Sequence, residues 1–268
     1  VWEFTFQKRW GQKIFGAFVV MLLAASAPLL SRAAVQGSYD YLWSGFSTSL
    51  AGRSEEQRQN IARAILDLEG TLIPPGSTFS FNERVGGRDR YKGYVLAPTI
   101  NNQGLLEEAP GGGICQLATT IYNAALEAGL EVVERHPHSR VVGYVPPGRD
   151  ATVSFWRRDL KLRNPHRAPL LLKVRVEGER LTASFWSVKR KTFHVTIHTE
   201  ILPLEPETVV IGDRGQQSRL VQAGQKGFSA ITKRRIIRAG QGVRTEILSN
   251  DFYPPPSRVM VGGVEKVP

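Results

Sequence analysis

Cysteine is almost missing from this chain: one thiol, Cys115, stands among 268 residues. No internal disulfide is therefore possible. Acidic residues are short as well, 24 against 35 basic ones, which leaves a net charge of +11. Such an excess favours an anionic partner, a membrane surface or an acidic wall polymer. Nucleic acid is not expected as a partner. The basic residues are scattered through patterned strands, and no zinc finger, helix-turn-helix or aromatic-rich RNA-binding signature occurs.

What is present begins with an apolar run from Ile14 to Leu30, behind Lys8, Arg9 and Lys13 and ahead of Ser31-Arg32-Ala33-Ala34. At roughly 17 residues it is at the lower edge of a spanning helix. The basic flank and small-residue end are those of a secretory signal or membrane anchor over residues 1–34. The chain beyond it is then expected to be extracytoplasmic, anchored to the cell membrane or secreted to the wall. Residues 35–53 are short and mixed and are expected to be a linker.

Ser54-Glu55-Glu56-Gln57 is a capping box, which predicts a helix to about Leu68. Phe79-Ser80-Phe81-Asn82 alternates as a strand does. Leu117, Ile121, Ala124, Ala125 and Ala128 fall on one helical face, and Gly129 stops it. Strands are expected over 131–135, 141–145, 151–156 and 160–163. A hairpin is expected over 169–176 and 181–188, and a last strand over 192–199. His194 and His198 share a strand face without a third ligand and are expected to be ordinary strand residues. After a linker at 201–207, residues 208–268 are β-patterned and marked by glycines. Lys233-Arg234-Arg235 within them is expected to be a solvated face. The fold class expected is α+β: over 54–200 a cysteine-bearing helix packed on an antiparallel sheet, and over 208–268 a small all-β module.

The chemistry centres on Ala109-Pro110-Gly111-Gly112-Gly113-Ile114-Cys115-Gln116. Three glycines allow close approach to the main chain. They place Cys115 at a helix start, where unpaired N–H groups and the macrodipole favour an anion such as thiolate. The alternative is a small buried core thiol. A cysteine nucleophile needs a base and an orienting group. His138 is the first candidate for the base and His136 the second, with Asp150 to fix the tautomer. Arg140 and Arg149 are candidate clamps for a substrate carboxylate. Zinc held by Cys115, His136 and His138 is a further alternative.

The segment APGGGICQLATTIYNAALEAGLEVVERHPHSR, followed by YVPPGRDATV and DLKLRNP and preceded by FSFNERVGGR and YKGY, closely resembles the VanW domain family over about residues 55–200. From RLVQAGQKG to PPPSRVMVGG, residues 219–263 resemble the five-glycine module that accompanies cell-wall enzymes. The family takes its name from glycopeptide-resistance gene clusters. The resemblance implies a cysteine-dependent L,D-transpeptidase acting on peptidoglycan stem peptides, with Cys115 as nucleophile. The backbone at Gly112, Gly113 and Ile114 would hold the oxyanion, and Gln116 and Tyr144 join Arg140 and Arg149 as candidate substrate contacts. Neither cofactor nor metal is required. The competing readings are a non-catalytic wall-binding scaffold and a cysteine-dependent wall amidase or carboxypeptidase.

Overall fold

The computed structural model describes residues 38–100, 106–211, 219–240 and 242–262. The expected signal or anchor lies outside them, and none of their helices is long and apolar enough to cross a membrane. The first element is a strand that the sequence hides. β1 (Tyr41–Ser49) occupies the expected linker. A register shift between Leu42 and Ser44 breaks its alternation, so no period of two shows in its residues.

α1 (Glu55–Leu68) starts at the expected capping box, with Ser54 and Gln57 reciprocally bonded, and buries Ile61, Ala64 and Leu68. β2 (Thr71–Ile73) and β3 (Thr78–Ser80) follow. The alternating stretch then departs from expectation. At Phe81 the chain turns into α2 (Phe81–Val85), because the Ser80 hydroxyl accepts from Glu83 N and caps a helix there. β4 (Leu96–Ile100) and β5 (Leu106–Pro110) pair antiparallel and deliver the chain to the glycines.

α3 (Ile114–Glu127) is the expected cysteine-bearing helix. Its Leu117, Ile121, Ala124 and Ala125 have no exposed surface. Truncating Leu117 to Ala would cost about 2–5 kcal/mol. After α3 come β6 (Glu131–Glu134), β7 (Lys161–Arg163), β8 (Leu170–Glu177), β9 (Arg180–Ser187) and β10 (Phe193–Leu204). The last part holds β11 (Thr208–Ile211), β12 (Arg219–Gln222), β13 (Gly227–Arg238), β14 (Gly242–Tyr253) and β15 (Arg258–Val261).

The main sheet has the antiparallel order β1-β9-β8-β2, and α3 packs on β1 and β9. The α+β class is thus as expected, although two of the four strands precede the helix. Two expected strands, 141–145 and 151–156, are not strands. The first is bends and turns, and the second makes only the isolated bridges His136–Thr152 and Ser154–Arg158. Their apolar residues Val142, Val145, Ala151 and Val153 are buried all the same. Apolar spacing there records burial and not sheet pairing.

β10 continues through Ile201–Leu204, residues expected to begin a linker, and pairs with β13 along its whole length. Arg234 corrects the expectation of a solvated basic face. Strand alternation turns it inward, where it is 2% exposed and pairs with Glu246 at 2.6 Å. Its guanidinium also donates to Leu126 O at 3.2 Å and Leu130 O at 2.7 Å. Together with Lys191, which donates to Glu127 O at 2.7 Å, it satisfies carbonyls at the end of α3, where cations are favoured.

Candidate active site

Each of the three glycines answers a different neighbour. Gly111, at φ 85°, carries the stem of Arg88, whose Cβ would lie 3.1 Å from a Cβ added there. Gly112 lies against β4, and an added Cβ would fall 2.6 Å from Ala97 O and 2.7 Å from Pro98 O. Gly113, the N-cap at φ 98°, faces Gln57 of α1. Asn60 also donates to Gly112 O at 3.1 Å. The start of α3 is therefore clamped between α1 and β4, and Cys115 is the second residue of the helix.

One face of α3 then reads the extended segment 149–153. Cys115 Sγ reaches Val153 O at 3.5 Å, Thr119 Oγ1 reaches Ala151 O at 3.1 Å, and Asn123 Nδ2 reaches Arg149 O at 2.7 Å. Four helical residues rise about 6 Å, and two extended residues span about 6.6 Å. The two chains are commensurate, one contact per helical turn. Asp150 lies between two of these contacts, and its carboxylate meets the His138 loop. Its Oδ2 accepts from His138 N at 2.7 Å and is 2.6 Å from His138 Nδ1. Its Oδ1 accepts from Arg135 Nη2 at 3.1 Å and from the Tyr253 hydroxyl. Arg135 Nη1 in turn sits 2.6 Å from both oxygens of Asp251.

With Nδ1 committed to Asp150, Nε2 of His138 is the nitrogen left for the sulfur. The imidazole and the thiol are close enough that each shifts the ionisation of the other. Burial opposes charge on both, yet the pairing prevails. The Cys115 thiol is brought down to about 7 by His138, with help from Arg88, against the pull of burial. Burial would likewise lower His138, but Asp150 and the thiol raise it to about 9. Asp150 is held below the usual carboxylate range because His138, Arg135 and Tyr253 outweigh its burial. Between about pH 7 and 9 the pair is thiolate and imidazolium, the reactive form of a cysteine nucleophile.

The sulfur is partly buried at the wall of a cleft of about 1020 Å³. His138, Arg140 and Tyr144 line the same cleft, and Arg140 is exposed in it. Tyr144 lies under the guanidinium of Arg53, 5.1 Å from the ring centre. Gln116 also touches the cleft, but its side chain is taken up by Arg53 Nε at 2.6 Å, Thr48 Oγ1 at 3.0 Å and Ser49 O at 2.7 Å.

Other expected residues fall elsewhere. Arg149 donates to Asn123 Oδ1 at 2.6 Å and stands over Phe46, away from the cleft lining. His136 bonds Glu134 at 3.1 Å and does not line the cleft, since Pro137 separates it from the buried turn of His138. The zinc alternative is therefore not assembled, and no cluster of three metal-ligating side chains occurs among the described residues. Of the expected oxyanion donors, Gly112 N bonds Ala109 O and Ile114 N bonds Gly111 O, both at 3.3 Å. Arg53, Arg88, Arg135, Asp251 and Tyr253 had no place in the sequence reading of the site. The pair Gly86-Gly87 before Arg88 was a usable signal. Tyr253 lies 103 positions from Asp150 and offers none.

A thiol, an imidazole and a carboxylate in line, at a cleft on an α+β domain, define a candidate cysteine-nucleophile site. The domain carrying it belongs to the VanW family: residues 56–186 match the family model described as VanW like protein. The chain is 40% identical over 142 residues to YoaR of Bacillus subtilis (strain 168), covering 53% of this chain and 46% of that protein. It is 32% identical over 138 residues to the Vancomycin B-type resistance protein VanW of Enterococcus faecalis (strain ATCC 700802 / V583), covering 49% of each. The chain thus spans about half the length of these curated relatives. Two solved G5-domain structures are similar over part of the chain. HP0197-G5 is 21% identical at TM-score 0.21, covering 27% of this chain and 100% of that one. The G5 domain of IgA1 protease is 18% identical at TM-score 0.23, covering 28% of this chain and 92% of that one.

Proposed function

We propose that this chain is an extracytoplasmic cysteine acyltransferase of the L,D-transpeptidase kind, acting on peptidoglycan stem peptides and held at the membrane or wall by its N-terminal segment. The supporting observation is the line Cys115–His138–Asp150 at the cleft, with the thiol drawn down and the imidazole drawn up. A relative named for vancomycin resistance fits a cell-wall substrate.

In this reading the Cys115 thiolate attacks the carbonyl of the L-centre in a tetrapeptide stem. The N–H groups of Gly113 and Cys115 at the open end of α3 hold the oxyanion, at about 3 kcal/mol per donor. The new S–C bond replaces the C–N bond, and the His138 imidazolium gives its proton to the departing amine. The side-chain amine of a second stem then attacks the thioester, loses its proton to His138 and expels the Cys115 thiolate, which restores the thiolate–imidazolium pair. The product is a 3→3 cross-link. The test is peptidoglycan incubated with wild type and with Cys115→Ala, digested and resolved by mass. New 3→3 dimers with the wild type alone are expected. Shortened stems without dimers would make the protein a carboxypeptidase, and identical products from both would end the enzymatic reading.

A further inference from the structure

Arg53, Arg88, Arg140 and Arg158 line the cleft, and among these four only Arg88 has a buried donor without a partner. Arg53 is engaged by Gln116 and Tyr144, and Arg140 is exposed. Arg88 is neither. Its stem packs on Gly111, its guanidinium stands 5.6 Å from the centre of the Phe81 ring, and Nη2 donates to Asn82 Oδ1 at 2.5 Å. Its Nε is buried without a hydrogen-bond partner. Among the described residues it makes no ion pair with a carboxylate. A desolvated cation with an idle donor is unfavourable unless something else completes it. The planar fork of a guanidinium suits a carboxylate. Arg88 is also close enough to Cys115 that the two charges act on each other.

We infer that Arg88 is the binding group for a carboxylate on the residue just beyond the carbonyl attacked by Cys115, so that the site takes peptides whose chain ends one residue past the scissile bond. The inference rests on the acyl-transfer reading and deepens it. A terminal carboxylate held at Arg88 selects removal of a single C-terminal residue, departing as a free amino acid with the proton from His138. A bond in the middle of a peptide has no carboxylate to offer there. Arg88 takes the role expected of Arg140 and Arg149.

The test compares alkylation of Cys115 by anionic iodoacetate and by neutral iodoacetamide at one pH. Both reagents need the thiolate, so the ratio of their rates cancels any change in its population and reads the anion site alone. Arg88→Gln is expected to lower the iodoacetate-to-iodoacetamide ratio at least about tenfold, whereas Arg140→Gln changes it less than about twofold. An unchanged ratio in folded Arg88→Gln would overturn the inference. A second arm uses a tetrapeptide stem against its C-terminal amide. Wild type is expected to prefer the acid, and Arg88→Lys, which keeps the charge and loses the fork, to lose several-fold of that preference while keeping the alkylation ratio. Full preference retained by Arg88→Lys and by Arg88→Gln would also overturn it. The alkylation arm needs no turnover, so inactivity on every stem alongside an Arg88-dependent ratio would sink the acyl-transfer reading and leave the anion site standing.

Discussion

Strands β13 and β14 carry side chains down onto the VanW domain, whereas β11 and β12 keep every residue exposed. The contrast is chemical as well as geometric. Arg234, Asp251 and Tyr253 are polar, yet they are 2%, 6% and 1% exposed, and each is bonded to a group that the helix or the histidine depends on. In β11 and β12 the exposed residues include the apolar Val209, Val210, Leu220 and Val221. Buried polar groups persist only where they are paired. The inner strands are therefore part of the support of the candidate site, and the outer ones are not.

Five substitutions sharpen or break that contrast. Cys115→Ala sets the floor: transfer should fall at least about a thousandfold while Tm moves by no more than about 3 °C, read by muropeptide mass and calorimetry. His138→Gln removes the partner that holds the thiolate. Burial then pushes the thiol above its ordinary value, and alkylation by iodoacetamide at pH 7 should slow more than about tenfold. In the wild type, alkylation should rise as pH passes about 7 and then stay level. Turnover should instead be bell-shaped, with a second limb near 9 where the imidazolium proton is lost. A flat turnover profile through pH 9 would contradict His138 as the proton donor.

The inner strands come next in size. Asp251→Ala leaves Arg135 buried beside Asp150 without its second carboxylate. Removing one partner of a buried pair costs about 3–5 kcal/mol, a Tm loss on the order of 10 °C. Tyr253→Phe removes one hydroxyl that donates to Asp150 and accepts from Gly148 N at 2.9 Å. A loss of about 1–2 kcal/mol is expected, with kcat down about 3–10-fold at unchanged KM. An outer substitution, Leu220→Ser in β12, should alter stability by less than about 0.5 kcal/mol and turnover not at all. Equal effects from Tyr253→Phe and Leu220→Ser would erase the distinction between the two halves.

Much of this arrangement was legible in the residues. The capping box at Ser54 and the glycines before Cys115 fixed α1 and α3 because both signals are local. The 170–187 hairpin was equally plain. His138 and Asp150 were recoverable as chemistry, since few other groups could serve a thiol. β1 escaped because a register shift and small residues erase its period. The stretches 141–145 and 151–156 misled because apolar spacing reports burial, whichever surface provides it. Arg88 and Tyr253 reach the site from loops and strands far along the chain, and only tertiary contact makes them neighbours of Cys115 and Asp150.

The matched rungs along α3 have a consequence for variation. Cys115, Thr119 and Asn123 fix residues 149–153 from one side, and Asp150 fixes His138 from the other. The ten residues or so between His138 and Arg149 are thus a span moored at both ends. Its midpoint, Val141–Gly143, buries Val142 and exposes Gly143, so substitution at Gly143 is expected to leave the sulfur, the ring and the carboxylate at their stations. It forms part of the rim of the cleft, so under the proposed function it is the place where a change of side chain alters which peptide the cleft admits while the Cys115–His138–Asp150 line stays as it is.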